Sequence, residues 1–153
     1  RLNAGFYFQL GAAFERKGDR VEAEKYFEKC LALAPDDAEA LNYLGYMWAE
    51  KGEKLDRAKA MIERAVKSDP TNAAFLDSLG WVWFQLGKPH EAVKYLLQAI
   101  ANDDKPDATV LDHLGDAYAA TNEMRKAREI WARSLAIEAN PAVKKKLDAV
   151  TVP

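Results

Sequence analysis

The chain has 153 residues, enough for one compact domain or a short repeat array, and its 49% hydrophobic and 30% charged residues suit a buried core with a solvated surface. A net charge of -2 argues against a nucleic-acid module, which carries a basic balance, and no apolar run reaches the roughly 18 residues that a membrane span needs. One cysteine, Cys30, excludes an internal disulfide, and with His90 and His113 as the only histidines there is little material for a His/Cys metal site.

Helical patterns run along the whole chain, with apolar residues at i, i+3, i+4 and i+7. The first begins at Ala4 and carries YFQLGAAF (7–14), ending at Gly18 in a left-handed cap. Asp19 and Glu22 read as a capping box that opens a second helix, AEKYFEKC (23–30), followed by Pro35. Asp37 is the expected N-cap of the next helix, LNYLGYMW (41–48), with Gly52 at its end. One extra residue then precedes AKAMIERA (58–65), and Pro70 follows. Asn72 caps LDSLGWVW (76–83), Gly87 ends it, and Pro89 suits the first turn of the helix holding AVKYLLQA (92–99). Asp107 caps LDHLGDAY (111–118), Asn122 stands where the glycines stood, and AREIWARS (127–134) follows. Two extra residues precede Pro106 and two precede Pro141, which lengthens those turns. The tail PAVKKKLDAV (141–150) is helical in pattern, with Val143, Leu147 and Val150 on one side and Lys144–Lys146 read as a solvated face.

These elements form a repeat. Each first helix has a large apolar residue, then Leu three later, then Gly, then an aromatic three beyond it. The glycines Gly11, Gly45, Gly80 and Gly115 are spaced by 34, 35 and 35 residues. Each second helix has a small residue, a large apolar one four later and a small one three after that. A glycine inside a helix costs roughly 1 kcal/mol against alanine, so four at one phase imply that helix crossing requires the missing Cβ. The pattern resembles the tetratricopeptide repeat (TPR) family, whose W, L-G, Y, A, F and P recur at these offsets.

The resemblance implies an all-α fold: a right-handed α-solenoid of four helix-turn-helix repeats, approximately 4–37, 38–72, 73–107 and 108–141. A capping helix at 141–150 completes a single domain over 1–153. The chain opens at Arg1 inside a helical pattern, without an initiating methionine, and reads as an excised or processed piece that further repeats preceded. The repeat style is similar to that of bacterial TPR proteins, some of them cell-envelope lipoproteins, which implies a bacterial cytoplasm, periplasm or envelope.

LGWVWFQLG (79–87) holds two tryptophans two positions apart, about 200° around a helix, so they cannot share a face. Trp83 falls where Phe14, Trp48 and Tyr118 fall. That place is aromatic in every repeat, so Trp83 reads as core, and its truncation to Ala is expected to cost about 3–5 kcal/mol. Trp81 shares its place with Ala12, Tyr46 and Asp116, a variety that packing does not dictate. In the TPR family this phase lines the concave groove that receives peptides or helices. The resemblance therefore gives a partner-binding strip of Phe8, Asn42, Tyr46, Asp77, Trp81, Phe84, Asp112 and Asp116, flanked by Glu15, Glu39, Ala49 and Ala119. Intramolecular packing of Trp81 is the alternative. The strip is aromatic and acidic, with Arg16 the one basic residue nearby, and suits a protein or peptide partner with Lys or Arg beside a large apolar residue. Chaperone-tail binders of the family hold a terminal carboxylate with cations on the first helices. The matching positions Phe8, Ala12, Tyr43, Ala74 and Ser78 supply none, which excludes that role.

No glycine-rich phosphate loop, His-Glu-x-x-His helix or nucleophile elbow occurs. His113 beside Asp112 and one turn from Asp116 reads as a solvated or groove histidine. Asp112 and Asp116 alone fall short of a metal site, and Cys30 reads as buried and inert. The expected function is a non-catalytic protein-interaction scaffold without cofactor or metal. The rivals are self-association through Leu2, Phe6 and Leu10, and a regulatory segment of a larger envelope protein or enzyme.

Overall fold

A computed structural model describes residues 3–150. Among them are nine α-helices and no strand: α1 (Ala4–Arg16), α2 (Arg20–Leu33), α3 (Ala38–Lys51), α4 (Leu55–Ser68), α5 (Ala73–Gln85), α6 (Pro89–Ala101), α7 (Ala108–Ala120), α8 (Met124–Ile137) and α9 (Pro141–Ala149). No helix among the described residues is long and apolar enough to cross a membrane. The helices form two compact units, one up to Pro70 and one from Thr71. In the first, α1 pairs with α2 and α3 with α4, and α2 lies against α3. In the second, α5 pairs with α6 and α7 with α8, α6 lies against α7, and α9 lies against α8.

The helix starts follow the sequence. Asp37, Asn72 and Asp107 accept from the N–H groups of Ala40, Phe75 and Val110, and Asn3 does the same for Phe6. Each supplies an acceptor for a first-turn donor that has no partner within its helix. The box at Asp19 is only half made. Its carboxylate accepts from Glu22 N–H at 3.2 Å, but its own N–H donates to Phe14 C=O at 2.9 Å.

That second bond belongs to a turn used four times. After α1, α3, α5 and α7, a residue with positive φ is followed by one whose N–H donates back to the aromatic residue of the repeat: Asp19 to Phe14, Glu53 to Trp48, Lys88 to Trp83 and Glu123 to Tyr118. This is the Schellman closure, which satisfies carbonyls at the helix end. Gly18, Gly52 and Gly87 hold φ of 80°, 69° and 77°, and Asn122 holds 67°. The extra residue of the second repeat is absorbed by Lys54, also left-handed at φ 46°. The extra residues of the third repeat lie in 102–107, where Asp103 accepts from Lys105 N–H at 2.9 Å. Those of the fourth repeat do not make a long turn. Pro141 is the first residue of α9, so the link from α8 is only 138–140.

The repeated glycines are notches for a large side chain on the paired helix. A Cβ on Gly115 would stand 2.3 Å from Trp131 ring atoms, and one on Gly45 would stand 2.7 Å from Ile62. Ala23, Ala58, Ala92 and Ala127 are sealed at one phase of the second helices. Trp48 is 0% exposed, and its indole N–H donates to Glu24 Oε1 on α2 at 3.0 Å. Trp83 departs from the sequence expectation: it is only half-buried, whereas Trp48 and Tyr118 at its place are buried. Cys30 is sealed as expected, and burial, reinforced by the Asp37 carboxylate, pushes its thiol up to about 11.

Candidate functional site

Five of the eight strip residues lie in the second unit, on α5 and α7. Trp81 and Phe84 stand one turn apart on α5, and their rings stack at 4.7 Å with planes 7° apart. On its other flank Trp81 stacks on His113 of α7 at 4.0 Å and 18°. His113 Nδ1 bonds Asp77 Oδ1 at 2.9 Å. Trp81 and Phe84 remain half-buried, so the indole is held between two neighbours without being sealed. His113 is 5% exposed, which corrects its reading as a solvated histidine. An imidazole wedged under an indole and bonded to a carboxylate is a packing element of the site.

Asp112 and Asp116, an i, i+4 pair on α7, meet Lys146 of α9. Lys146 Nζ donates to Asp112 Oδ1 at 2.8 Å and to Asp116 Oδ1 and Oδ2 at 2.8 and 3.1 Å. The basic triplet of the tail is thus split: Lys144 and Lys145 are exposed, but Lys146 is turned inward. The two carboxylates expected to meet a partner in isolation already share one ammonium. Burial raises Asp116 above the usual carboxylate range and the Asp112 charge adds to this, against the Lys146 bond and charge and the His113 charge, which lower it. Burial alone would lower Lys146, but the bonds and charges of Asp112 and Asp116 outweigh it and raise it.

The signal that would have found these partners is the repeat itself. His113 lies 36 residues after Asp77, and Lys146 lies 34 after Asp112. A residue on one first helix therefore meets the residue one repeat later, and α9 extends that phase as half of a further repeat. The first unit shows the same relation, with Phe8 edge-on to Tyr43 at 5.4 Å and 89°.

The other three strip residues lie in the first unit. Phe8 is half-buried and also packs on Phe27 at 5.7 Å. Tyr46 is half-buried, Ala12 and Ala49 are buried, and Glu15 and Glu39 are exposed. Asn42 is 8% exposed, so it offers a visitor little surface, contrary to its place in the expected strip. Of the residues read for self-association, Phe6 is 44% exposed and Leu10 half-buried, while Leu2 lies outside the described residues. No group of three or more His, Cys, Asp or Glu among the described residues is placed to hold a metal ion.

The repeat geometry is matched by family models for the tetratricopeptide repeat over residues 4–37, 49–107 and 79–143. The chain belongs to the tetratricopeptide repeat family. This TPR chain is an all-α solenoid, and its repeats support a protein-interaction scaffold in general terms. It is similar to the crystal structure of MamA protein, with 25% identity and a TM-score of 0.71 over 94% of this chain and 78% of that one. A second MamA structure, the RS-1 double mutant, matches at 19% identity and a TM-score of 0.71 over 96% and 78%. The Thermobaculum terrenum O-GlcNAc transferase mutant K341M matches at 24% identity and a TM-score of 0.77, over 87% of this chain but 26% of that enzyme. The last two likenesses show the fold alone. No curated protein matches the sequence.

Proposed function

We propose that this TPR chain is a non-catalytic adaptor that binds a segment of a partner protein on the α5–α7–α9 face, with Trp81 as the anchor. The observation that carries the reading is the Trp81 stack. A large indole is held flat between Phe84 and His113 yet keeps part of its surface open. An aromatic ring fixed before binding loses little freedom on binding, and such rings are the usual energetic anchors of interfaces. Asp77, Asp112 and Asp116 bring three carboxylates against the one ammonium of Lys146. The excess negative charge favours a partner with Lys or Arg beside a large apolar side chain.

The test begins with peptides selected from a random display library on the full chain. Each is titrated while the indole N–H resonances of the protein are followed. The reading predicts that basic–apolar peptides emerge and that the Trp81 indole shifts, while that of buried Trp131 does not. Peptides that bind without moving the Trp81 resonance overturn it.

A further inference from the structure

The Trp81 stack belongs to the second unit. The first unit holds a crevice of its own, about 330 Å³ in volume, between α2 and α4. That volume is at the low end of small-molecule sites, which run from about 300 to 1,000 Å³. Leu41 and Leu44 of α3, 3% and 1% exposed, form the floor. Glu28 and Leu31 of α2 stand on one wall, and Arg57 and Met61 of α4 on the other. The members of each pair are three or four residues apart and so share a helix face. Arg64 ties the walls together by donating to Pro35 C=O at 2.9 Å and to the Asp36 carboxylate. In a solenoid each repeat contacts only its neighbours, so the first two repeats alone bound this crevice.

Two charges on its walls are unspent. Arg57 lies over the Trp48 ring at 4.9 Å, an attraction that keeps its guanidinium beside the crevice. Arg57 and Glu28 are exposed, and among the described residues no ion pair engages either. The same place two repeats later has its own counter-charge. There Lys126 stands where Arg57 stands, 5.5 Å from the Tyr118 ring, and donates to Glu123 Oε1 at 2.9 Å. In the second repeat the place of Glu123 is taken by Lys54, a second cation over Trp48 at 4.7 Å. The nearby Glu24 is committed to Lys54 at 3.4 Å and to the Trp48 indole N–H at 3.0 Å. Arg57 is thus left without the carboxylate that its counterpart has.

We infer that this crevice binds a free apolar α-amino acid. The ligand carboxylate meets Arg57, its ammonium meets Glu28, and its side chain covers the Leu41–Leu44 floor beside Met61. Charge complementarity selects a zwitterion, because a simple acid sets an anion against Glu28 and a simple amine sets a cation against Arg57. The site is independent of the function proposed for Trp81.

The full chain, labelled at its methionine methyl groups, is titrated with L-leucine and L-phenylalanine. Two derivatives serve as controls: N-acetyl-L-leucine, which keeps only the negative charge, and L-leucinamide, which keeps only the positive one. The inference predicts that both amino acids move the Met61 methyl resonance saturably and leave that of Met124, at the start of α8, in place. Each derivative should bind about tenfold more weakly, the loss of one charged hydrogen bond. Arg57→Gln should weaken leucine binding by about the same factor. Glu28→Gln should weaken leucine but not N-acetyl-leucine, so that the preference between them disappears. Both side chains are exposed, so each variant keeps its fold and its circular dichroism spectrum. Absence of saturable movement at Met61, or equal binding of leucine and its derivatives, overturns the inference. Movement caused by a leucine-containing peptide blocked at both ends, where free leucine causes none, also overturns it and assigns the crevice to a protein segment.

Discussion

Trp81 lies flat on His113, with ring centroids 4.0 Å apart, and His113 is fixed from beneath by Asp77 at 2.9 Å. The indole therefore owes its orientation to a residue on another helix that solvent hardly reaches. His113→Ala should remove a stack of about 0.5–1.5 kcal/mol and leave Asp77 without its ring partner. The expected outcome is a lowered Tm and weaker binding of any Trp81-directed peptide. Comparing Tm and affinity for His113→Ala and His113→Phe checks this, since Phe restores the stack without the bond to Asp77.

The Lys146 contact makes a prediction with a definite sign. Removing its ammonium by Lys146→Met leaves Asp112 and Asp116 facing each other, and the loss should be about 1–2 kcal/mol, after allowing for the solvent exposure of the pair. Lys146 is raised in the folded state, so its contribution is full below pH 10.5 and fades as pH rises through its folded value. Asp116 is also raised, so the folded state holds its proton more firmly than the unfolded chain does. Its effect on stability therefore declines as pH climbs from 3.8 through its folded value. Carboxyl-carbon titration by NMR should find Asp116 above 3.8 in the wild type and higher still in Lys146→Met.

The four shared turns differ in only one residue type. Asn122 holds φ 67° where the other repeats use glycine, and Lys54 holds φ 46°. A side chain in the left-handed region costs about 1–2 kcal/mol, less for Asn, and glycine gives part of this back as unfolded-chain entropy. Asn122→Gly should gain a few tenths of a kcal/mol and Gly52→Ala should lose about 1 kcal/mol, while Lys54→Gly should gain nothing, because the backbone relief is offset by loss of the Lys54 ammonium over Trp48 and beside Glu24. Urea unfolding midpoints at constant m-value check the order.

Core substitutions should rank by closure rather than by residue type. Trp48→Ala opens a sealed site and leaves Glu24 without its indole donor, so it should cost about 3–5 kcal/mol. Trp83→Ala, at a half-buried place, should cost less. Gly115→Ala drives a methyl into the Trp131 ring and should cost about 1–3 kcal/mol, although alanine is the better helix former. Denaturant titration of the three variants decides the ranking.

The repeat was legible because its marks are local. Gly11 to Gly115 at one phase, the caps Asp37, Asn72 and Asp107, and the left-handed Gly18, Gly52, Gly87 and Asn122 are each dictated by a few neighbouring residues. What the sequence hid is the pairing between helices one repeat apart. Nothing local to Asp112 announces that Lys146 reaches it, and nothing beside His113 announces Asp77. A single-helix projection therefore showed carboxylates and a histidine turned outward, where the neighbouring helices in fact engage them. Asn42 is 8% exposed for a related reason: its phase reads as open, but the packing around α3 closes most of it. Lys54 absorbed an inserted residue that spacing could count but not position.

The most direct measurement is the dissociation constant of a library-selected peptide for the wild-type chain and for Trp81→Ala, taken by calorimetry on proteins shown to share one circular dichroism spectrum. If the α5–α7–α9 face is the docking site, Trp81→Ala should weaken binding by about thirtyfold, as expected for an anchor of roughly 2 kcal/mol. Equal constants would contradict the account and move the interaction to another surface of the chain.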